Sequence, residues 1–356
     1  MIVGVLREAA PETRVSMVPE TVSAVVKKGW EVWVEPGAGA NAQCTDEAYV
    51  AAGARMASSS EILAGADAVL SIHLPSDKPA SGRVLVGMYQ ALTSRERLEP
   101  LLASGVAVFS MERLPRTTRA QSMDILSSQA NIAGYKAVLL AAYSYSRYFP
   151  MFMTAAGSIP PAKVLILGAG VAGLQAIATA RRLGAVVEVF DTRPAVKEEV
   201  MSLGAKFVEV EGAADASSAG GYAVEQSEDY KRRQRERIAE SVAKADIIVT
   251  TAQIPGRKAP ELITAEMLAS MRTGSVIIDL AAATGGNTPV TKDGETVTAG
   301  GVSVIGAGNL PATMPYDASR LYGKNIVNFL QLMVDKEGRI QTEVDDDLVK
   351  GTRVSY

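Results

Sequence analysis

Short apolar runs alternate along the chain with segments whose apolar residues recur at helical spacing. The first run, "MIVGVL", is followed by a turn and by residues 18–30, in which the apolar positions suit one helical face. Further strand-like runs are "EVWVEPG", "ADAVLSIHL", "RVLVGMY" and "LLASGVAVFSME". Strands that alternate with helices in this way predict a parallel β-sheet covered by helices.

A second series of strand-like runs follows a long segment of helical character, residues 122–149. The series consists of "KVLILGAG", "AVVEVFD", "AKFVEV", "ADIIVTTA", "GSVIIDLA" and "VSVIGAG". A last helix is predicted over residues 316–329, "YDASRLYGKNIVNF". Two series joined in this way predict two sheets rather than one.

These patterns predict an α/β protein with two Rossmann-like domains, each with a parallel sheet, linked by a long helix and with a cleft between them. A last helix that follows the second series often packs back on the first domain. We therefore expect an N-terminal domain of residues 1–125 completed by 315–356, and a nucleotide-binding domain of residues 126–314. The insert at about 211–237 is rich in Ala, Ser and Gly in its first half and in charged residues in its second half. This composition predicts a mobile loop followed by a solvated helix.

The second series begins with a glycine pattern typical of a dinucleotide-binding loop. A strand, the triplet Gly168, Gly170 and Gly173, a helix, and a second strand ending in Asp191 follow one another in register. Gly168 permits a tight turn, Gly170 lets the backbone approach a pyrophosphate, and Gly173 lets helix and strand pack closely. The helix N-terminus supplies free N–H groups and a positive dipole end for phosphates.

Asp191 suits the ribose hydroxyls of adenosine, and its charge repels a 2′-phosphate, so we expect NAD as the cofactor. Arg193 keeps NADP open as an alternative, and a structural Rossmann unit without nucleotide is another. Ala252 and Asn309 follow later strands, at the carboxyl edge where ligands bind in such sheets. The residues assigned to the cofactor on these grounds are Gly168, Gly170, Val171, Ala172, Gly173, Asp191, Thr192, Arg193, Ala252 and Asn309.

Composition and charge exclude several classes of function. A net charge of −3 gives no electrostatic case for binding nucleic acid or an anionic membrane. One Cys and one His exclude an intramolecular disulfide and a Cys/His zinc site within the chain. Residues 164–180 are uncharged, but they barely reach the length of a membrane span and are split by glycines, so we expect no span.

One polar stretch, "PRTTRAQSMD" at residues 115–124, crowds charged and amide side chains before the long helix. Together with "FDTRP", "GGYA", "TTAQIPGRKAPELIT" and the glycine loop, it resembles the NAD(H)-binding alpha-subunit component, domain I, of proton-translocating nicotinamide nucleotide transhydrogenase. The resemblance covers essentially the whole chain. Alanine dehydrogenase is the neighbouring family, with the same two-domain fold and a different chemistry.

The resemblance implies direct hydride transfer between NAD(H) on this chain and NADP(H) on a partner. It implies that Arg116 and Asp124 hold the carboxamide and ribose side of the nicotinamide, while Gln121 reaches towards the second nucleotide. Ser127 would also hold the carboxamide, and Tyr222 would contact the nucleotide from a mobile loop that closes over it. The alternative for residues 115–124 is a loop held only by a surface Arg–Asp pair. The alternative for the segment that contains Tyr222 is a disordered connector.

An alanine-type amino-acid dehydrogenase is the first alternative function. Such enzymes are understood to use a Lys, a His and an Asp, and these positions fall at about Ser71, Met88 and Ala283. None of the three titrates near neutrality, so the chain has no evident acid or base for imine reduction. Arg14 matches the substrate-carboxylate arginine of that family, and His73 is interpreted as a surface or packing residue.

A non-catalytic NADH-binding protein is the second alternative, and the intact set of Arg116, Gln121 and Asp124 argues against it. By resemblance we expect a homodimer that docks on the NADP(H)-binding and membrane subunits of a transhydrogenase. The chain ends at "GTRVSY" without a span, which suggests a split-subunit arrangement. The expected location is cytoplasmic, peripheral to the inner or plasma membrane through those partners.

Overall fold

A computed structural model describes residues 1–210, 227–254 and 256–355. Its β-strands are β1 Ile2–Val5, β2 Glu31–Val34, β3 Arg55–Met56, β4 Ala68–Leu70, β5 Val84–Gly87, β6 Ala107–Ser110, β7 Phe152–Thr154, β8 Gly157–Ile159, β9 Lys163–Leu167, β10 Val186–Phe190, β11 Lys206–Phe207, β12 Ile247–Thr250, β13 Val276–Asp279, β14 Thr296–Ala299, β15 Val302–Gly306 and β16 Arg353–Val354. Its α-helices are α1 Pro19–Val26, α2 Asp46–Ala51, α3 Ser59–Gly65, α4 Glu99–Ala103, α5 Ile125–Ser144, α6 Val171–Arg182, α7 Lys197–Ser202, α8 Glu228–Val242, α9 Ala265–Ser270, α10 Pro315–Leu330 and α11 Asp347–Thr352.

The chain divides into two compact units. Unit 1 comprises residues 1–129 and 311–356, and unit 2 comprises residues 130–310, so that α5 starts in unit 1 and continues into unit 2. Each unit contains a seven-stranded, mostly parallel sheet, which confirms the predicted α/β class with two Rossmann-like sheets. Of the helices in the described ranges, none is both long and apolar enough to cross a membrane.

The sheet of unit 1 has the strand order β16-β6-β5-β4-β1-β2-β3. All neighbours are parallel except β16, which runs antiparallel to β6. Counted from β3, the order 3-2-1-4-5-6 is that of a doubly wound fold, with its reversal between β1 and β4. The inner strands β4 and β5 are buried along their whole length, as expected for a sheet covered on both faces.

Helices cover both faces of this sheet, and β5 shows the alternation. Val84 and Val86 belong to the cluster that contains Tyr322 of α10, whereas Leu85 belongs to the cluster that contains Ile62 of α3. The C-terminal helix α10 therefore contributes directly to the core of the N-terminal sheet. It also carries the Phe329 ring, which is fully buried in the same core.

The sheet of unit 2 has the order β11-β10-β9-β12-β13-β15-β14, with the reversal between β9 and β12. Only β14, paired with β15, is antiparallel in this sheet. Residues of β9 alternate between two cores: Val164 and Ile166 pack with α5 and α6, and Leu165 and Leu167 pack with α8 and α9. A separate hairpin, β7–β8, precedes the sheet.

Two predicted segments differ in extent from what the structure describes. The long helix was predicted over residues 122–149, but α5 is shorter and a 3-10 helix, Thr118–Met123, comes before it. The reason is local, because Asp124 caps α5 and so fixes where the helix begins. Of the predicted loop at about 211–237, residues 211–226 lie outside the described residues, whereas the charged second part forms the start of α8, capped by Ser227.

The buried hydroxyl of Tyr322 tests the contribution of α10 to unit 1. It donates a hydrogen bond of 2.8 Å to the Ser71 carbonyl in the core. Tyr322→Phe leaves that carbonyl without its donor, so we expect the free energy of unfolding to fall by about 1–3 kcal/mol in chemical denaturation. Tyr316→Phe, on an exposed part of the same helix, is the control and should change stability little. Equal stability of Y322F and the unaltered protein would contradict this role.

Candidate functional site

The glycine loop lies at the carboxyl edge of the unit 2 sheet, beside the reversal of strand order. Gly168 has a φ of +106°, a conformation that glycine adopts at little cost. A Cβ on Gly173 would stand 1.9 Å from the Gly168 carbonyl oxygen, so only glycine lets α6 pack this close to the turn. Gly170, by contrast, borders open space, since no heavy atom of the described residues lies within 4 Å of an added Cβ.

The N-terminus of α6 is arranged to receive an anion. The helix begins at Val171 with Gly170 as its N-cap, and among the described residues no side chain caps it. The backbone N–H groups of the first turn, including those of Val171 and Ala172, have no carbonyl partner within the helix. These donors and the positive end of the helix dipole suit a phosphate group.

Asp191 follows β10 and is buried, with its carboxylate bound to the glycine loop. Oδ2 accepts a hydrogen bond of 2.7 Å from the Ala169 N–H. Oδ1 accepts from the backbone N–H of Arg193 at 2.8 Å, and the Arg193 guanidinium adds two bonds of 2.9 and 2.7 Å. Hydrogen bonds to Asp191 are also the main reason that the pKa of the Arg193 guanidinium is raised. The predicted residue Thr192 is half-buried between the two.

A buried network holds the loop that follows β12. The Asn287 side chain accepts a hydrogen bond from the Ala252 N–H at 3.2 Å and donates to the Ala252 carbonyl at 2.9 Å and the Pro260 carbonyl at 2.7 Å. Asp279, at the end of β13, accepts from the Asn287 N–H at 2.6 Å. Because Asn287 engages both the N–H and the carbonyl of Ala252, a contact of Ala252 with a ligand has to come from its methyl group or from the second lone pair of its carbonyl oxygen.

The remaining residues predicted for the cofactor are less informative. Asn309 comes three residues after the end of β15, and it is exposed. Tyr222 lies outside the described residues, so its role stays a prediction. Asn287 was not among the predicted residues, although its position in "GGN", soon after a buried strand, is visible in the sequence.

The polar turn before α5 belongs to unit 1. Arg116 and Gln121 are exposed there, Gln121 on the 3-10 helix Thr118–Met123. Oδ1 of Asp124 accepts a hydrogen bond of 2.9 Å from the Ser127 N–H, and Oδ2 accepts one of 2.6 Å from the Ser127 hydroxyl. The structure thus brings Asp124 and Ser127 together as a helix cap, and the cap also fixes the direction of both side chains.

Two elements of the C-terminal segment hold this turn. The Ser122 carbonyl accepts hydrogen bonds from the side-chain amides of Asn325 at 2.9 Å and Asn328 at 3.0 Å, both on α10. Arg119 donates twice to Asp346, at 2.6 and 2.9 Å, and Asp346 in turn caps α11. The turn is therefore supported on its backbone and through one side chain, while Arg116 and Gln121 remain exposed.

Arg14 is engaged in a buried ion pair. Its Nε and Nη2 donate to Glu12 at 2.8 and 2.7 Å, and its Nη1 donates to the Gln129 amide oxygen at 2.8 Å. Nε2 of the half-exposed His73 lies 2.9 Å from Glu12 Oε2, so its description as a surface or packing residue is incomplete. Burial opposes ionisation of Glu12, but the hydrogen bonds from Arg14 and His73 outweigh it and hold the Glu12 pKa far below its ordinary value.

The positions that an alanine-type enzyme would use carry no acid or base. The Ser71 hydroxyl is buried and lies 3.0 Å from the Tyr89 hydroxyl. Met88 is half-buried and Ala283 is exposed. Across the described part of the chain, no group of three or more His, Cys, Asp or Glu residues is arranged to hold a metal ion.

Both halves of the chain match one protein family. Residues 4–133 match Alanine dehydrogenase/PNT, N-terminal domain, and residues 137–356 match Alanine dehydrogenase/PNT, C-terminal domain. The chain is 47% identical over 369 residues to the first part of the NAD(P) transhydrogenase subunit alpha of Rhodospirillum rubrum, covering 100% of this chain and 96% of that one. The crystal structure of transhydrogenase from Sinorhizobium meliloti matches with a TM-score of 0.91 at 44% identity, covering 100% and 99%. Alanine dehydrogenase of Mycolicibacterium smegmatis is 26% identical over 364 residues, covering 99% and 92%.

Two glycine substitutions separate nucleotide binding from folding. Gly170 has an extended backbone beside open space, so Gly170→Ala should keep the melting temperature while its methyl group fills the space that a pyrophosphate needs. We expect its affinity for NADH, measured by calorimetry, to fall by roughly tenfold or more.

Gly173→Ala is the matched control, because its methyl group meets the Gly168 carbonyl instead of open space. This variant should have a lower melting temperature before any ligand is added. Binding of NADH by G170A as tight as that of the unaltered protein would show that the glycine loop is not the pyrophosphate site.

Proposed function

This chain belongs to the alanine dehydrogenase/PNT family, and we propose that it is the NAD(H)-binding subunit of a proton-translocating transhydrogenase. It exchanges hydride with NADP(H) held on a separate component. The observation that carries the proposal is the chemistry of Ser71, Met88 and Ala283, which offer no acid or base where amino-acid dehydrogenation needs them. Hydride transfer between two nicotinamide rings needs neither group.

The glycine loop and Asp191 bind NAD(H) in preference to NADP(H). The N-terminus of α6, which no described side chain caps, and the space beside Gly170, which no described residue fills, receive the pyrophosphate. The Asp191 carboxylate accepts hydrogen bonds from ribose hydroxyls and disfavours a 2′-phosphate. Asn287 supports this site, because it fixes the loop at Ala252 at the same edge of the sheet.

The turn of unit 1 holds the nicotinamide. A carboxamide has an N–H₂ group that donates and a carbonyl that accepts, and the turn offers both complements. Asp124 and Ser127 present oxygen acceptors in a fixed orientation, because each is bonded to the other. The exposed Arg116 supplies a cationic donor, and the exposed Gln121 reaches from the surface towards a second nucleotide.

The protein positions the two nicotinamides and excludes water, and bound NADH supplies the hydride. Holding two reactants in one orientation lowers the barrier without any proton transfer by the chain. The Asp124–Ser127 cap, Asn325 and Asn328 give the turn this rigidity, since they fix its backbone to two helices.

A second copy of the chain covers an exposed apolar surface of unit 2. The rings of Tyr148 and Phe152 stack at 5.0 Å, and they are 50% and 43% exposed. Met151, Met153 and Tyr143 are exposed as well. Soluble monomers rarely present so many large apolar side chains within a few residues, and a twofold dimer buries the same surface on both copies.

Proton movement belongs to membrane subunits, on which this chain docks together with the NADP(H)-binding component. The Rhodospirillum rubrum relative is named as one part of a subunit, which supports an assembly of several chains. We place the chain at the cytoplasmic face of the membrane, peripheral to it through those partners.

Substitutions in the turn test the hydride-transfer function. The protein is mixed with an NADP(H)-binding component, and reduction of an NAD analogue by NADPH is followed without other substrates. Gln121→Ala and Asp124→Ala should lower the rate by roughly 10²-fold, the scale expected for a misplaced reactant, while ADP-ribose binding is kept. Ser122→Ala is the control, because Ser122 supports the turn through its carbonyl.

Unchanged rates in both Q121A and D124A would exclude the turn as the nicotinamide site. Oxidation of NADH by the isolated protein with pyruvate plus ammonium would instead support the alanine-type alternative.

A substitution in the β7–β8 hairpin tests the homodimer. Phe152→Asp places a charge in the proposed interface, and sedimentation at micromolar concentration should show a shift from dimer to monomer. Met201→Asp, at an exposed apolar residue of α7, is the control and should stay dimeric. A monomeric unaltered protein, or a fully dimeric F152D, would contradict the interface.

A further inference from the structure

The carboxylate of Asp191 is saturated with donors. Oδ1 accepts from the Arg193 N–H at 2.8 Å and Nε at 2.9 Å, and Oδ2 accepts from the Ala169 N–H and Arg193 Nη2, both at 2.7 Å. An ionised carboxylate offers about four lone-pair sites, so these hydrogen bonds fill it. A ligand hydroxyl can bind here only by displacing one of the donors.

We propose that the Arg193 guanidinium occupies the place of the adenosine ribose diol and competes with it for Asp191, so that Arg193 limits both affinity and nucleotide selectivity. The inference rests on the proposed function, because it takes the glycine loop as a dinucleotide site. Arg193 is thus a specificity-determining residue that leaves the carboxylate when NAD(H) binds.

Of these donors, the guanidinium is the one that can be replaced. The N–H groups of Ala169 and Arg193 are held by the backbone directly after β9 and β10. The guanidinium, in contrast, belongs to a side chain that is 19% exposed and covers a carboxylate whose side chain is 6% exposed. Its Nε and Nη2 form a planar fork, and two neighbouring ribose hydroxyls present a similar pair of donors to the same two oxygens.

The charge of Arg193 also affects selectivity against a 2′-phosphate. While the pair is closed, the guanidinium neutralises Asp191, so the carboxylate repels a phosphate less. Once displaced, the guanidinium is itself a bidentate phosphate ligand. Arg193 therefore hinders NADH and assists NADPH, which weakens the selectivity that Asp191 alone would give. The negative charge of Glu199, on α7, also contributes to the raised pKa of Arg193, after the hydrogen bonds to Asp191 and the charge of Asp191.

Calorimetric titration with NADH and NADPH tests the competition. Arg193→Met removes the fork but keeps a long side chain, and its Kd for NADH should fall by roughly 3- to 10-fold, in the range of the net contribution of one ordinary hydrogen bond. Its Kd for NADPH should rise or stay the same, so that the ratio of the Kd for NADPH to the Kd for NADH increases. Arg193→Lys keeps the charge without the fork. Its affinity for NADH should be higher than that of the unaltered protein and lower than that of R193M.

Arg272→Met is the matched control. It removes an arginine from Asp246, a pair with a distance of 3.2 Å at the amino edge of the same sheet. Its affinity for NADH should equal that of the unaltered protein. Should R193M fail to fold, R193K decides the question by the same comparison.

The outcomes separate this inference from the proposed function. An unaltered protein that binds no NADH contradicts both. An unaltered protein that binds NADH, with R193M and R193K binding it equally or more weakly, leaves the proposed function intact and overturns the competition. Tighter NADH binding by both variants, with the control unchanged, supports it.

Discussion

The hydrogen bond between the Ala169 N–H and the Asp191 carboxylate ties together the two strand ends that form the proposed nucleotide site. It fixes the middle of the glycine loop, and with it the turn at Gly168 and the start of α6. The close contact of Gly173 with Gly168 completes this arrangement, because α6 then points its first N–H groups at the open side of Gly170. The proposed pyrophosphate and ribose positions thus depend on one buried carboxylate.

The six parallel strands of unit 1 have the same order as those of unit 2, but the side chains at their carboxyl edge differ. After β4, the N–H groups of Ile72 and His73 donate to the Glu8 carboxylate at 2.6 and 3.1 Å, and burial raises the pKa of Glu8. Glu12 and Arg14 fill the neighbouring space with a buried ion pair. At the sheet of unit 2, no described side chain therefore caps the backbone donors at the start of α6, whereas at the sheet of unit 1 the Glu8 side chain binds the backbone donors that follow β4.

Local sequence patterns predicted the structural features that depend on residues close together in the chain. The alternation of apolar runs predicted the two sheets, and the glycine spacing predicted the loop, because strand burial and tight turns are encoded within a few residues. The support of the turn by Asn325, Asn328 and Asp346 was not predictable, since these side chains lie more than 200 residues away from it. The saturation of Asp191 by Arg193 was not predictable either, because adjacency in sequence does not show which donors a carboxylate accepts.

In the reaction that we propose, hydride passes directly between two nicotinamides, without an acid or base from this chain. The most direct measurement uses NADH deuterated at the transferred C4 position, mixed with this protein, an NADP(H)-binding component and NADP⁺. Mass spectrometry of the NADPH formed should recover the deuterium in the nicotinamide ring, with none lost to water. Deuterium that appears in water, or in alanine when pyruvate and ammonium are supplied, would contradict direct transfer between the two nicotinamides.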